Sequence, residues 1–385
     1  MKSMVLKGFV MVGALALINC DNNTVVAPGP DELGTKPESS AAIDPMSSAA
    51  VGLESSTSVN PQSSTIAAPE SSETVNPLSS ETVNPASSET VPPASSETVT
   101  PASSSSEEVK PAGVFLAEGT DENKDQMQVE YIENIEPCIW DNDKKRNLCK
   151  ILAYPKQLSD TKKHAVVMWG PGGGSDPKEY GGIIKRLASH GFVVVAIPQS
   201  PGDASQGKPA LDWLESKNKD PNDPLYNKLD MTKVGCSGHS MGGLESEQML
   251  LKDDRVITAV LNNSGAFNHA ELANVSTSKT AAIVYGEGGM ERPNAEGDYN
   301  NNNVKAPACL LKMTGGQGNE CYNGECGWGH GSGPWGGMAA TVAWMRWHLG
   351  GEDWRKDDFV GTSGKYINGA IIGQPGKWKG QCKNF

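Results

Sequence analysis

Six consecutive residues carry the first chemical signal in this chain: Gly238-His239-Ser240-Met241-Gly242-Gly243. An apolar run, Met231 to Cys236, leads into them, and an amphipathic segment, Leu244 to Leu251, leads away. Strand, sharp turn and helix in that order form the setting in which the serine of a G-x-S-x-G pattern serves as a nucleophile. Gly238 and Gly242 flank a serine forced into strained backbone angles, where strand and helix come too close for side chains. Such a turn lifts the Ser240 hydroxyl clear of a sheet and aims the Met241 N–H at an incoming carbonyl oxygen. The pattern is short, and Gly and Ser are abundant here, so the flanking elements give it its weight.

The elements that must hold this turn begin at Val114. Met127 to Ile135 and Leu148 to Tyr154 read as strands, and His164 to Trp169 as a buried strand running into the loop Gly170-Pro171-Gly172-Gly173-Gly174-Ser175. Tyr180 to His190 reads as a helix stopped by Gly191, followed by a second apolar strand, Phe192 to Ile197. Pro209 to Leu214 starts a helix, and Thr232 to Cys236 is the strand before the serine. Val256 to Leu261, Ala281 to Tyr285 and Ala308 to Met313 are three more strands, and Pro334 to Leu349 reads as one long helix. Continuous apolar strands interleaved with helices predict an α/β fold, a mostly parallel sheet covered on both faces. Sites in such a sheet form at the carboxyl ends of the strands.

The first third of the 385 residues serves another purpose. Residues 1–20 read as an export signal: Lys2 and Lys7 give a positive start, and Phe9 to Ile18 is an apolar core too short to span a bilayer. Its end, Leu17-Ile18-Asn19-Cys20, resembles a bacterial lipobox, with Cys20 as the lipid attachment residue and plain secretion as the alternative. Residues 21–112 are rich in Ser, Pro, Thr, Glu and Val. An eight-residue repeat, Ser71-Ser72-Glu73-Thr74-Val75-Asn76-Pro77-Leu78, recurs from Ser79, Ser87 and Ser95. So short a proline-punctuated period buries nothing, which predicts a disordered linker. As a coil it would span roughly 50–60 Å. The third segment, 113–385, is the folded domain.

The linker also explains the charge. Residues 1–112 account for −9 of the chain's net −13, leaving the domain near neutral. A domain without a basic patch is a poor candidate for nucleic-acid binding. We expect a monomer that meets the membrane only through an N-terminal lipid. Eight cysteines in an exported chain suggest disulfides. Cys138 and Cys149 are placed for a local bridge; Cys321, Cys326 and Cys382 fall in loops near the C-terminus. Cys236 reads as a buried free thiol, and Cys309 as either free or paired with Cys382. Cys321 and Cys326 with His330 lack a fourth ligand, so neither a metal nor a cofactor is expected.

Three stretches together resemble the α/β-hydrolase superfamily, and within it the dienelactone-hydrolase and cutinase-like polyester-hydrolase branch. They are Leu187-Ala188-Ser189-His190-Gly191-Phe192-Val193-Val194-Val195; Asp230 to Cys236 leading into the Ser240 turn; and Gly329-His330-Gly331 ahead of a Trp-rich helix. The likeness spans roughly residues 145–360 and implies a serine esterase with a triad in the chain order Ser, acid, His. His164, His190, His239 and His269 precede any acid in that order, and His348 lies in a helix beside Trp344 and Trp347. That leaves His330 as the base. The aspartate that the resemblance implies falls on Gly289, so the acid must be a neighbour: Glu287, nearest the strand end, comes first, with Glu291 and Asp298 as alternatives. The resemblance places the second oxyanion donor at Gly173, beside Met241; Pro171 has no N–H to offer.

Substrate signals are thinner. Trp328 and Trp335 bracket His330 and Trp169 enters the oxyanion loop, which suggests an aromatic mouth. Polyester-cleaving relatives carry an aromatic residue where this chain has Gly173, so that wall is missing. The segment Gly315 to Gly327 reads as an insertion able to shape the pocket if its two cysteines bridge. Together these point to carboxylic esters, with acetyl or feruloyl esters on plant polysaccharide as the polymeric substrate that a long tether would suit. The competing expectation is a non-catalytic surface carbohydrate-binding or adhesion protein on a degenerate hydrolase fold.

Overall fold

The computed structural model describes residues 113–316 and 320–385. The export signal, Cys20 and the linker of residues 21–112 lie outside the described residues.

Strands β1 (Val129–Asp141) and β2 (Arg146–Pro155) form an antiparallel opening hairpin. Then follow β3 (His164–Gly170), α1 (Gly181–Ser189), β4 (Val193–Ala196), α2 (Gly207–Lys219), β5 (Leu229–His239) and α3 (Met241–Lys252). After these come β6 (Val256–Asn262), β7 (Thr280–Gly286), α4 (Arg292–Asn300) and β8 (Ala308–Thr314). The chain closes with the hairpin β9 (Glu320–Tyr322) and β10 (Glu325–Gly327), helices α5 (Ser332–Trp335), α6 (Met338–His348), α7 (Lys356–Phe359) and α8 (Lys365–Asn368), and β11 (Lys377–Lys383).

One sheet takes nine strands in the order β1-β2-β4-β3-β5-β6-β7-β8-β11. The stretch from β4 to β8 is parallel throughout, and the antiparallel pairings lie outside it. Alternate residues of one strand feed two separate cores. Val167 and Trp169 of β3 join α1 and α6 on one face, while Val166 and Met168 join α2 and α3 on the other. That double burial is why β3 reads as an uninterrupted apolar run. Each fully buried large apolar side chain, such as Phe192 or Ile183, stabilises the fold by about 2 kcal/mol.

The expected long helix over 334–349 is interrupted. Gly336 and Gly337 separate α5 from α6, and both sit against neighbours: a Cβ on Gly337 would lie 2.5 Å from Val284 Cγ1, and one on Gly336 2.7 Å from the Trp328 ring. Strand β11 has no apolar run to announce it. It is an edge strand, Lys377-Trp378-Lys379-Gly380-Gln381-Cys382-Lys383, whose exposed lysines blunt edge-to-edge pairing. Cys321, Cys326 and Cys382, expected in loops, therefore lie in β9, β10 and β11. Among the described residues, three disulfides join Cys138 to Cys149, Cys309 to Cys382 and Cys321 to Cys326, and Cys236 is a buried free thiol. The second ties β8 to β11 at directly opposed positions.

Candidate active site

Because β3, β5, β7 and β8 are parallel, the loops after them gather at one edge of the sheet. Ser240 stands between β5 and α3 with φ 55° and ψ −118°. This left-handed φ costs a non-glycine residue about 1–3 kcal/mol, and the local packing leaves the chain no relaxed path. A Cβ on Gly242 would fall 1.9 Å from the Gly170 carbonyl oxygen, and one on Gly238 2.3 Å from that of Gly242. The Ser240 N–H donates to the Asn262 carbonyl at 2.9 Å, which ties the strained residue to β6.

His330 follows β10 and lines the same pocket as Ser240, a cleft of ≈ 250 Å³ that also takes in Met241, Leu244, Phe267 and Met290. Its Nδ1 lies 2.9 Å from Oε2 of Glu291. The other Glu291 oxygen accepts from Asn263 Nδ2 at 2.6 Å, and the same amide reaches Ser332 Oγ at 2.9 Å. Glu291 is 5% exposed, so this carboxylate is fixed and largely shielded from water. A carboxylate on Nδ1 orients the imidazole and leaves Nε2 to exchange a proton.

Glu287, the first choice from sequence, is engaged elsewhere. Its Oε1 accepts from the Gly315 N–H, and its own N–H donates to the Met313 carbonyl at 3.0 Å, so it continues the ladder toward β8. A turn closed by Gly289 N–H on the Gly286 carbonyl at 3.1 Å carries the chain back, and Glu291 arrives over the site at the start of α4. The carboxylate in contact with His330 is therefore that of Glu291 and not that of Glu287, and the curl of this turn decides it. Asp298 is buried on α4, accepting from the Leu272 N–H at 3.0 Å, and lies away from the imidazole contact. Beside it, burial and the Asp298 charge push the Glu247 carboxyl well above the usual carboxylate range.

The Met241 and Gly173 N–H groups are hydrogen-bonded to no acceptor among the described residues. The Gly172 N–H, by contrast, donates to the Tyr180 hydroxyl at 3.0 Å. A Cβ on Gly173 would lie 3.2 Å from Met241 Cγ, so the two donors are close neighbours. Two unpaired backbone donors close together beside a serine are the elements an oxyanion hole requires. The aromatic mouth is narrower than expected, since Trp169 and Trp328 are buried and only Trp335, at 54%, is exposed. Sequence reading missed Phe267 and Met290, each 71% exposed in the loops after β6 and β7. An apolar residue on a polar loop was the available signal.

Of the remaining histidines, His164, His190 and His239 are buried, His348 is packed among aromatic rings, and His269 lies exposed in the loop after β6. Burial lowers the pKa of His348 to about 3, and those of His190 and His239 to about 4. His348 stacks on Trp347 with ring centroids 4.1 Å apart. Among the described residues no group of three or more His, Cys, Asp or Glu is arranged to hold a metal ion.

A mostly parallel sheet with helices on both faces, a strained serine at a strand-to-helix turn and a histidine after the last parallel strand define an α/β-hydrolase fold. Residues 150–280 match the PET hydrolase-like family. A stretch of 96 residues is 30% identical to cutinases est1 and est2 of Thermobifida alba, covering 23% of this chain and 30% of each cutinase. The chain thus spans about 30% of the length of these curated relatives. The fold is that of an α/β-hydrolase, and the matched segment is similar to the cutinase-like branch. The family match contains the Ser240 turn and ends before Glu291 and His330.

Proposed function

We propose that this chain is an exported serine esterase that cleaves carboxylic esters through Ser240, His330 and Glu291. The observation that carries the reading is the 2.9 Å contact of Glu291 with His330 Nδ1, made by a histidine that lines one cleft with Ser240. Ser240 Oγ attacks the ester carbonyl carbon while His330 Nε2 takes its proton. The carbonyl electrons move onto oxygen, where the Met241 and Gly173 N–H groups receive the charge, each worth about 3–4 kcal/mol at the transition state. Collapse expels the alcohol, which takes the proton back from His330. Water then attacks the acyl-serine by the same route and releases the carboxylic acid.

The proposed substrate class is supported by what surrounds the serine. Phe267 and Met290 line the cleft and offer apolar surface for an acyl group, and half-exposed Trp335, packed near Gly331 outside that lining, offers a face for a sugar ring. These features support acetyl or feruloyl esters on plant polysaccharide. The three disulfides support folding in an oxidising compartment, in keeping with export through residues 1–20 and anchoring at Cys20. The Glu291 carboxylate on His330 also weighs against the non-catalytic binding module.

The test is hydrolysis of nitrophenyl acetate, then release of acetate and ferulate from acetylated and feruloylated xylan, by wild type and Ser240→Ala. We expect turnover lowered by about 10⁴-fold or more in the variant. Equal rates in the two proteins would sink the esterase reading, and activity on the nitrophenyl ester alone would sink the polysaccharide assignment.

A further inference from the structure

Three hydrogen bonds join the two loops that the proposed reaction must hold still. The Gly172 N–H donates to the Tyr180 hydroxyl at 3.0 Å, that hydroxyl lies 2.8 Å from His239 Nδ1, and His239 Nε2 lies 2.8 Å from the His330 carbonyl oxygen. The two ends fix the direction of every proton between them. A backbone N–H only donates and a carbonyl oxygen only accepts. The Tyr180 oxygen therefore accepts from Gly172 and sends its own hydrogen to Nδ1, and the His239 ring hydrogen sits on Nε2, donated to His330.

The surroundings are built for this path. Tyr180 is 3% exposed and His239 7%, and the His239 and His330 rings are 4.8 Å apart. A Cβ on Gly172 would fall 2.8 Å from the Tyr180 hydroxyl and 3.0 Å from His239 Nδ1, so glycine alone leaves the space. Burial keeps the Tyr180 hydroxyl protonated and, with the neighbouring His330, keeps His239 neutral. His239 is bonded directly to Ser240 in the chain. The path therefore passes through the nucleophile's own turn, with the oxyanion loop at one end and the base at the other. A G-x-S-x-G turn does not require a histidine at its second position, and Tyr180 comes from a separate element, the short helical turn Pro177–Tyr180.

We propose that Tyr180 and His239 are positioning residues that lock the oxyanion loop to the backbone of His330, holding the Gly173 N–H and the His330 ring at one spacing about Ser240. Neither reaches substrate in this role; they act through Gly172 and His330. The inference rests on the esterase reading, and it accounts for two buried polar side chains that the reaction itself does not use.

Tyr180→Phe deletes one oxygen while keeping the ring that stacks on Trp335. We expect kcat to fall by about 10- to 100-fold with KM within twofold of wild type and the melting temperature little changed. His239→Phe should lose a similar factor, and the double variant should be no worse than His239→Phe alone, because both cut one path. His239→Gln, whose amide can accept from Tyr180 and donate to His330, should recover part of the loss. Additive losses, a change confined to KM, or a Tyr180→Phe kcat within twofold of wild type would overturn the proposal. Ring nitrogen NMR of the resting protein reads the path without turnover: the hydrogen should sit on His239 Nε2 in wild type and stay there in Tyr180→Phe, while the Nδ1 resonance moves to higher frequency because its lone pair loses the Tyr180 donor. Should the wild type show no Ser240-dependent turnover, the esterase reading fails and this NMR comparison alone decides the path. A wild-type hydrogen on Nδ1, or no change in the variant, then refutes it.

Discussion

The Glu291 carboxylate reaches His330 Nδ1 at 2.9 Å from a loop position two residues beyond the one where the family resemblance places an acid. Asn263 grips its other oxygen from the end of β6, so the carboxylate is held from both sides. Glu291→Gln should lower kcat by about 10²- to 10⁴-fold through loss of imidazole orientation. Glu287→Gln should leave kcat within about threefold. Steady-state kinetics on a nitrophenyl ester, with circular dichroism to confirm folding, separates the two. A larger loss at Glu287 would reverse the assignment.

Glycines of the Ser240 turn and of the loop after β3 differ sharply in what they tolerate. Gly242→Ala puts a methyl 1.9 Å from the Gly170 carbonyl oxygen, where only backbone movement can make room. We expect a loss of several kcal/mol in stability and no measurable turnover. Gly174 has φ 69° and open space around it, so Gly174→Ala should cost about 1 kcal/mol, from backbone angle alone. Urea unfolding of the two variants checks the order.

The disulfides should rank by the chain they close. Cys309–Cys382 encloses 73 residues and Cys321–Cys326 only 5. Loop-closure entropy makes the first worth about 4 kcal/mol and the second about 2 kcal/mol. Paired serine variants should lose stability in that order. Activity should follow a different order, because the short hairpin carries Glu320, whose Oε2 accepts the His330 N–H at 2.7 Å. Cys321→Ser with Cys326→Ser should lower kcat more than the pair at 309 and 382.

Stability should decline as pH falls from about 6.5 toward 4. Burial holds His348 at about 3, and His190 and His239 at about 4, against an ordinary histidine value of 6.5. A base whose folded pKa is lowered binds protons more readily when unfolded. Its contribution is therefore complete above pH 6.5 and fades as pH drops. The raised Glu247 carboxyl acts in the opposite sense, weakening the fold as pH rises through its folded pKa. Urea midpoints from pH 7.5 to 4.5 read the balance. His348→Phe, which removes a buried ring nitrogen without a hydrogen-bond partner, should flatten the acid side; an unchanged slope would show that His348 is not a contributor.

Local patterning announced much of this molecule. The apolar runs at 164–169, 192–197, 256–261, 281–285 and 308–313 are strands because both their faces are covered, and burial on two faces writes itself into consecutive residues. The Gly238–Gly243 turn is legible for a similar reason: its backbone clashes exclude every side chain at fixed positions. Strand β11 left no such trace, since an exposed edge imposes no apolar pattern. Gly336 and Gly337 look like tolerable residues in a helix until Val284 and Trp328 are brought against them.

The sequence by itself determined the parallel sheet and the strained serine, because each depends on near neighbours in the chain; the histidine after the last parallel strand came from the family resemblance. Only the tertiary structure decided which carboxylate faces His330, and that Tyr180, Gly172 and His239 form one path. Those outcomes depend on where loops from separate strands end in space, and a shift of two residues along a loop changes the partner without changing any local pattern.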